Sequence, residues 1–300
     1  MAQATAPAAR PQLDTLNTIF LASAHLAALA GIFYMIFGQF SWWTLALGLV
    51  YYALCGLAIT GGYHRLFSHP SYKAHGILRA FYLFFGAASV QNSALKWSSD
   101  HRIHHQHCDK PDDPYNINQG FWWAHVGWVL CKPQSANDMT NVGDLKRDPL
   151  VMFQHNHYIA IAILSAVVVP LALGFIWGDP IGAVLVAGFL RLVVQWHATF
   201  SINSIAHMLG TRPYSITNSA RDSFITALLT LGEGYHNFHH KFQIDYRNGI
   251  RWFHFDPTKW FVWVCSKLRI TWDLKRTSSD AIERAKAAVR AARQKPQATA

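Results

Sequence analysis

Charged side chains are scarce in this sequence. Asp, Glu, Lys and Arg make up 14% of its 300 residues, whereas soluble domains contain about 25%. Hydrophobic residues make up 51%, and the chain contains 12 Trp and 19 Phe. This composition indicates a membrane protein, because aromatic rings concentrate at the lipid–water interface.

Glutamate is almost absent, and closely spaced cysteine pairs are absent altogether. Only Glu233 and Glu283 occur, which excludes di-iron proteins built on several Glu and Glu-x-x-His pairs. The four cysteines are far apart, so the sequence predicts neither a zinc ribbon nor a disulfide framework. The net charge is +10, but no basic motif with interleaved aromatic residues accompanies it, which excludes nucleic acid as a partner.

Four apolar runs each have the roughly 20 residues that cross the hydrocarbon layer. They are predicted at 16–37, 42–62, 158–177 and 181–200. Short links without Lys or Arg join them into two hairpins, whereas nine Lys and Arg lie within 65–147 and fifteen within 212–295. The positive-inside rule therefore places both termini and the segments 63–157 and 201–277 in the cytoplasm.

Two further apolar stretches are predicted not to cross the membrane. Gly76 to Ala94 lies between histidine clusters that must meet on one side, which predicts a re-entrant or interfacial helix. Gly120 to Leu130 is rich in aromatic residues and is predicted to lie at the interface. Residues 1–13 are predicted to be a disordered tail without a cleaved signal peptide. Residues 14–277 are expected to form the main domain, and 278–300 a charged helix and tail with a solvated face.

Histidines cluster near the ends of the predicted spans. His101, His104 and His105 occupy positions i, i+3 and i+4, so on a helix they point to one side, with His101 and His105 about 40° apart around the axis. The same spacing recurs near the C-terminus. The other candidate ligands are His64, His69, Asn203, His207, His236, His239 and His240.

These nine imidazoles and one amide are predicted to converge at the cytoplasmic mouth of the bundle. They are too many for one metal and suit two metals with four or five ligands each. Imidazole suits Fe, Zn and Cu, and cleavage of an unactivated C–H bond in an apolar substrate calls for iron and dioxygen. The predicted fold class is an all-α integral membrane protein, with four transmembrane helices and a cytoplasmic helical cap that carries a histidine-ligated dimetal site.

Four motifs resemble the histidine boxes of the membrane fatty-acid desaturases, most closely those of the delta-9, stearoyl-CoA desaturase branch. They are His64-Arg-Leu-Phe-Ser-His69, His101-Arg-Ile-His-His105, Asn203-Ser-Ile-Ala-His207 and Gly232-Glu-Gly-Tyr-His-Asn-Phe-His-His240. The likeness extends over about Leu45 to Lys275. It implies a di-iron enzyme that uses O2 to insert a cis double bond into a long saturated acyl chain, which is held in a closed tunnel between the spans.

The resemblance also implies how the ligands divide between two irons. His64, His101, His105 and His239 would hold one iron, with Asn203 reaching it through water. His69, His104, His207, His236 and His240 would hold the other. Metal-bound rings should donate their free N–H to carboxylates, and we expect Asp100, Asp222 and Glu233 in that role. Zinc would be an inactive substitute, since it binds such ligands more tightly than Fe²⁺ but has no redox chemistry.

Four residues are predicted to contact the substrate, namely Gly48, Tyr52, Lys132 and Trp196. Gly48 and Tyr52 are one helical turn apart on the second span and would set the depth of the tunnel, although the same spacing also fits ordinary packing. Where animal desaturases of this branch place several Arg and Lys, this chain has Ser99, Asn118, Gln119 and Pro133. Phosphates need such charges, so acyl-CoA, an acyl lipid and acyl carrier protein all stay open as substrates.

Two other functions are compatible with part of the pattern. A membrane di-iron hydroxylase or alkane monooxygenase uses similar boxes but yields an alcohol, and a histidine-rich metal transporter would place ligands inside the spans. No electron-carrier segment is present, so we expect an external cytochrome b5- or ferredoxin-type carrier with its reductase. Membrane lipid is a further expected partner, and the bacterial inner membrane is the expected location. The remaining histidines, including His25 and His197, are expected to be structural, with His125 and His157 as candidate supports for ligands.

Overall fold

Four membrane-spanning helices dominate the fold. The computed structural model describes residues 11–38, 40–132 and 138–294. The helices long and apolar enough to cross a membrane are Thr15–Phe37 (span one), Trp42–Ser68 (span two), Tyr158–Trp177 (span three) and Pro180–Met208 (span four). The mostly helical, four-span fold class is therefore confirmed. The predicted headgroup residue Pro133, most of the predicted tail 1–13 and the terminal residues 295–300 lie outside the described residues.

The segments 69–157 and 209–294, where described, form the cap. Its helices are Gly76–Ala87, Ala94–His107, Ile117–Gln119, Trp123–Gly127, Trp128–Leu130, Thr140–Val142, Gly143–Lys146, Pro149–Asn156, Phe224–Leu229, His236–Lys241, Pro257–Lys267 and Ser279–Gln294. Two short strands, Lys73–Ala74 and Thr271–Trp272, pair antiparallel with Lys73 opposite Trp272. This ribbon joins the segment that follows span two to the C-terminal part of the cap.

Spans two and four are longer than their predicted apolar runs. The hydropathy prediction ends them at residues 62 and 200, where polar residues begin. In the structure both helices continue, to Ser68 and Met208. They continue because apolar residues such as Tyr63 and Phe67 are still buried among the polar ones. As a result His64 and His207 are fixed on the transmembrane helices themselves. The last turns of span two, Ala58–Ser68, are wound as a π-helix.

The predicted interfacial segment 76–94 is a shorter helix than expected. The helix ends at Ala87, and positive φ angles at Val90 and Asn92 turn the chain away. Twelve residues extend only about 18 Å, too little to cross the hydrocarbon layer. The helix lies directly against span two, because a Cβ atom on Gly62 would sit 2.5 Å from the Cβ of Tyr82.

The turn between spans three and four is tied to the first hairpin by one carboxylate. Asp179 is 6% exposed and accepts hydrogen bonds from the Tyr34 hydroxyl of span one at 2.6 Å and the Thr44 hydroxyl of span two at 2.5 Å. It also accepts the backbone N–H of Gly182 and so caps the N-terminus of span four. Three of the four spans therefore meet at this side chain.

Span four also contains a buried arginine. Arg191 donates to the backbone carbonyls of Ala187 and Ala88 and to the side-chain oxygen of Gln195. An ionised side chain inside a span is costly unless such groups satisfy its hydrogen-bonding capacity. The guanidinium thus links span four to the turn that follows the interfacial helix.

The C-terminal helix, Ser279–Gln294, was expected to be solvated, but one of its faces is buried. Its residues Ile282, Ala285 and Val289 are buried, and the first two pack in a cluster with Tyr214 and Phe238. The spacing of these three residues, three and four positions apart, is that of one helical face. The helix therefore braces the segment His236–Lys241, which carries three of the candidate ligands.

We expect Asp179→Ala to destabilise the protein by at least about 2 kcal/mol, because each buried donor left without a partner costs about 1–3 kcal/mol. Apparent thermal unfolding in detergent measures the change. The matched control is Asp273→Asn, since Asp273 forms an exposed ion pair with Lys73, such pairs contribute about 0–1 kcal/mol, and asparagine tolerates the positive φ at this position. Equal effects of the two substitutions would contradict the role given to Asp179.

Candidate metal centre

Five histidines from four parts of the chain form the first histidine set. Each offers one ring nitrogen within 4.8 Å of the others, and the members are His64, His69, His101, His105 and His239. The Nε2 atoms of His69 and His101 are 2.8 Å apart, and those of His64 and His239 are 2.9 Å apart. Span two, the residue after it and two cap helices therefore meet at one point.

Four histidines form the second histidine set, directly beside the first. Its members are His104, His207, His236 and His240. The Nε2 atom of His236 lies 3.1 Å from that of His207 and 3.0 Å from that of His240, and the Nε2 atoms of His104 and His240 are 3.3 Å apart. The rings of His105 and His240 stack with centroids 4.3 Å apart, so the two sets share a boundary.

The division of the ligands differs at His69 from the one that the resemblance implied. His69 was expected in the second set, but its ring belongs to the first. The π-helical end of span two explains this position, because the backbone N–H of His69 bonds to the carbonyl of His64 five residues earlier. That winding returns His69 to the side of the helix that carries His64. The sets therefore have five and four members, not four and five.

A thiol that the sequence interpretation did not include lies beside the second set. The Cys108 sulfur is within 4.8 Å of ring nitrogens of His104, His207 and His240. Burial, and then the neighbouring Asp109, raise the pKa of this thiol far above its usual value. Only the thiolate is a good metal ligand, so without a bound cation the imidazoles are the better donors of this set.

In three of the candidate ligand rings, a hydrogen bond at Nδ1 fixes which ring nitrogen carries the proton. The Nδ1 atom of His64 lies 2.8 Å from a Glu233 oxygen, and that of His104 lies 2.8 Å from an Asp113 oxygen. Ionised carboxylates only accept hydrogen bonds, so both Nδ1 atoms carry hydrogen. The Nε2 atoms of these two rings are thereby directed towards the other histidines.

His207 is fixed in the same way through a serine. Its Nδ1 atom lies 2.7 Å from the hydroxyl oxygen of Ser219, and that hydroxyl is 2.6 Å from an Asp109 oxygen. The serine donates its single hydrogen to the carboxylate, so it accepts from His207. The Nε2 atom of His207 is therefore also a bare acceptor, which faces His236.

Burial keeps the remaining rings uncharged. Burial, followed by repulsion among neighbouring histidines, lowers the pKa of six rings well below the usual histidine value. These are His69, His101, His105, His236, His239 and His240. Neutral imidazoles whose Nε2 lone pairs converge cannot all hydrogen-bond to one another. A cation in each set removes this conflict, so the residues present fit two metal ions.

A buried charge network holds Glu233 against His64. The Arg65 guanidinium donates to Glu233 at 2.8 Å and to Asp256 at 3.1 Å, and the Asn248 amide donates to Glu233 at 2.7 Å. Burial alone would raise the pKa of Glu233, but His64 and Arg65 outweigh it and lower that pKa to about 2. The carboxylate is therefore ionised and can orient the ring.

The other two carboxylates expected to support ligands are engaged differently. Asp100 forms an ion pair with Lys96 one helical turn earlier. Asp222 accepts the backbone N–H of Phe238, and burial raises its pKa to about 7. It therefore supports the backbone of the helix that carries His236, His239 and His240 rather than one of the three rings.

The sequence interpretation missed the carboxylates that do meet the second set. Asp113 contacts His104, and Asp109 reaches His207 through Ser219. A signal was present, because both aspartates lie in one short turn immediately after the box that ends at His105. A turn returns its side chains towards the helix it follows, which brings carboxylates within reach of ligand rings.

The remaining predicted site residues lie outside both histidine sets. Asn203 is half-buried, one turn before His207 on span four. Gly48 packs against Val186, and the half-buried Tyr52 donates to the backbone carbonyl of Leu229. Trp196 is buried and donates to the carbonyl of Ser89. Lys132 is exposed.

Comparison with known proteins identifies relatives over most of the chain. The fatty acid desaturase family model matches residues 40–272. Acyl-CoA desaturase 1 of Saccharomyces cerevisiae is 48% identical over 237 residues, which are 78% of this chain and 46% of that protein. The probable acyl-CoA desaturase of Schizosaccharomyces pombe is 48% identical over 244 residues, 80% of this chain and 51% of that protein. Human stearoyl-CoA desaturase is 37% identical over 273 residues, 89% of this chain and 75% of that protein.

The length of the match differs among these relatives. This chain spans about half the length of the two yeast proteins and three quarters of the human one. The matched region of the family model includes every member of both histidine sets.

We expect Glu233→Gln to lower metal content, because loss of a group that orients a ligand histidine typically reduces metal affinity about 10–100-fold. Metal per chain, measured by mass spectrometry on purified protein after dialysis against a weak chelator, tests this. The chain's other glutamate supplies the matched control, since Glu283 pairs with Lys286 at the surface. Full metal content in Glu233→Gln, or an equal loss in Glu283→Gln, would contradict the role of Glu233.

Proposed function

The chain belongs to the fatty acid desaturase family, and on that premise we propose that it is an O2-dependent desaturase of long saturated acyl chains. The product is a cis alkene, with the double bond at the delta-9 position. The observation that carries this proposal is the meeting of nine imidazoles, with their Nε2 atoms facing one another, where two apolar spans join the cap. The names of the relatives, acyl-CoA and stearoyl-CoA desaturases, favour the same activity.

Two iron ions are the proposed metals. When bound, they supply the redox chemistry with dioxygen that side chains lack. The nine histidines would hold them, with Asn203 reaching one through water, and Glu233, Asp113 and the Ser219–Asp109 pair keep the ligand tautomers fixed. Burial of the rings excludes bulk water from the reacting position, which protects a reactive site from side reactions. Zinc fits the same ligands without activity.

The reaction needs electrons and protons from outside the site. Removal of two hydrogens from the chain, with reduction of one O2 to two waters, consumes two electrons and two protons. We infer that an external one-electron carrier of the cytochrome b5 or ferredoxin type delivers the electrons, with its own reductase. A net charge of +10 suits an acidic carrier, because complementary charge steers association.

A long-chain acyl-CoA is the proposed substrate, with an acyl lipid as the alternative. The relatives are named for acyl-CoA. The acyl chain lies between the spans, with Gly48 and Tyr52 at its far end and Trp196 and Lys132 nearer the mouth. A chain held in fixed register places one carbon pair beside the metals, and such positioning accounts for much of catalytic selectivity.

Both termini and the cap are proposed to be cytoplasmic, in a bacterial inner membrane. Lys and Arg are concentrated in the segments before span three and after span four, and neither hairpin turn carries one. This asymmetry follows the positive-inside rule. Anionic lipid headgroups are then the neighbours of the basic segments.

Expression in a desaturase-deficient host, with fatty-acid analysis by headgroup class, tests the function. We expect a cis delta-9 alkene from the unchanged chain and none from His239→Ala, with His75→Ala as an active control because His75 is an exposed histidine outside both sets. Purified protein loaded with iron should be active, and zinc-loaded protein inactive. An alcohol product would instead indicate a hydroxylase, and activity with zinc would contradict the proposed chemistry.

We expect Tyr52→Ala to shift preference towards longer acyl chains, because removal of the ring deepens the tunnel. The double bond should keep its distance from the carboxyl end, since the headgroup and mouth set the register. Product profiles with a mixture of chain lengths measure both quantities. The control Tyr52→Phe keeps the ring and loses only the hydrogen bond to Leu229, so an unchanged profile is expected. If Tyr52→Ala also leaves the profile unchanged, Tyr52 is ordinary packing.

We expect a cysteine at Ile176 to react with an impermeant thiol reagent from outside the cell, and a cysteine at Ile244 to react only after the membrane is opened. Both isoleucines are exposed, 77% and 60% respectively, and Ile176 lies beside the outer turn whereas Ile244 lies in the cap. Background is removed by replacing Cys108 and Cys131. Labelling with the opposite sidedness would overturn the orientation.

A further inference from the structure

Two segments of the cap expose large apolar side chains, and together they are called the apolar flank here. The first segment is the helix Phe224–Leu229, and the second is the stretch 250–269, which contains the helix Pro257–Lys267. The first exposes Phe224, Ile225, Leu228 and Leu229. The second exposes Trp252, Trp260, Trp263 and Leu268. Apolar surface on this scale marks contact with a membrane or with another protein.

Contacts with span two show how deep the flank lies. The Tyr52 hydroxyl donates to the backbone carbonyl of Leu229 at 3.3 Å, and the hydroxyl oxygens of Thr60 and Thr258 are 2.5 Å apart. Trp42 begins span two at the hairpin turn and is exposed there, as expected of an aromatic residue at the lipid interface.

The distances along span two place these contacts at the level of the hydrocarbon. At 1.5 Å per residue, Tyr52 and Thr60 lie about 15 and about 27 Å from Trp42 along the helix axis. The hydrocarbon layer is about 30 Å thick. The helix Phe224–Leu229 also packs against span four within Arg191–Asn203. The flank therefore lies beside the half of the bundle that is nearer to the cap but still within the membrane.

Backbone groups in the second segment find their partners inside the protein. The buried amine of Lys259 donates to three backbone carbonyls of the loop before the helix. They belong to Gly249, Arg251 and His254, at 2.7, 2.8 and 3.1 Å respectively. The buried Asp256 carboxylate accepts the backbone N–H groups of Gly249 and Lys259. Hydrocarbon offers no water to such groups, so this internal pairing suits a loop that faces lipid.

The exposed charges of the second segment all have one sign. Arg251, Lys267 and Arg269 are exposed, whereas the single acidic residue of the segment, Asp256, is buried. The Lys267 amine lies 5.2 Å from the ring centroid of Trp263. An aromatic ring that enters lipid beside an amine that reaches back to the headgroups is typical of interfacial helices. Positive charge at this level complements anionic phosphates of lipid headgroups.

We propose that the apolar flank is embedded in the membrane leaflet on the side of the cap. Its apolar side chains lie among the acyl tails, and Arg251, Lys267 and Arg269 meet anionic headgroups. The cap is then bound to the membrane by a second contact that does not cross it. The helix His236–Lys241 lies between the two embedded segments in the sequence, so this contact also fixes the height of its histidines relative to the membrane.

Spin labels on single cysteines test the proposal in the full chain. Ile225 and Trp263 are each replaced by cysteine after Cys108 and Cys131 are changed to serine, and the protein is placed in nanodiscs that contain anionic phosphatidylglycerol. We expect both labels to collide often with O2, which concentrates in hydrocarbon, and rarely with a water-soluble nickel chelate. Labels at two other exposed positions, Leu26 on span one and Ile244 in the cap, define the lipid and water limits.

The opposite accessibility would overturn the proposal. If the nickel chelate reaches Ile225 or Trp263 as readily as Ile244, the flank faces water and is available to a protein partner instead. Metal content equal to that of the unchanged chain shows that the labelled proteins are folded.

A charge placed on the flank gives a second test. We expect Ile225→Asp to lower the apparent melting temperature in nanodiscs by at least about 5 °C, because an ionised side chain in hydrocarbon is costly. Ile244→Asp is the matched control and should leave it unchanged. An unchanged melting temperature in Ile225→Asp would contradict the embedded position. Neither test uses an acyl substrate, so both outcomes are independent of the proposed desaturation.

Discussion

The structure depends on one electrostatic constraint, the convergence of imidazole nitrogens in a buried space. Burial disfavours positive charge on the rings, and hydrogen bonds to Glu233, Asp113 and Ser219 direct three Nε2 atoms towards the other histidines. Such an arrangement is unfavourable without cations and favourable with them. Folding and metal binding are therefore coupled, since the unfolded chain offers no preformed site.

The surrounding fold keeps these rings in place from two directions. Spans two and four carry His64 and His207 as rigid helices, while the cap supplies the other ligands on shorter segments. Arg65 connects the two parts, because it lies on span two and binds Glu233 and Asp256 of the cap. A buried ion pair of this kind adds little net stability but is costly to break, so the network fixes geometry more than it adds to the free energy of unfolding.

Periodic features could be predicted from the sequence, and features that depend on contacts between distant residues could not. The four spans followed from hydropathy, and the shared faces of His101 with His105 and of His236 with His240 followed from helical spacing. The place of His69 did not, because it depends on π-helical winding at the end of span two. Asp113 and Ser219 were missed because their partners are set by tertiary packing. His197 contacts His25 and His125, which lie 172 and 72 positions away along the chain, and nothing in the local pattern indicates these contacts.

The most direct test of this account is the metal environment in protein reconstituted with iron. X-ray absorption at the iron edge, combined with metal analysis, should give two irons for each chain. Each iron should have a shell of imidazole nitrogens at about 2.0–2.2 Å, close to the distances known for histidine-bound zinc, and no carboxylate ligand. One iron for each chain, or a shell that contains carboxylate oxygen, would contradict the central claim.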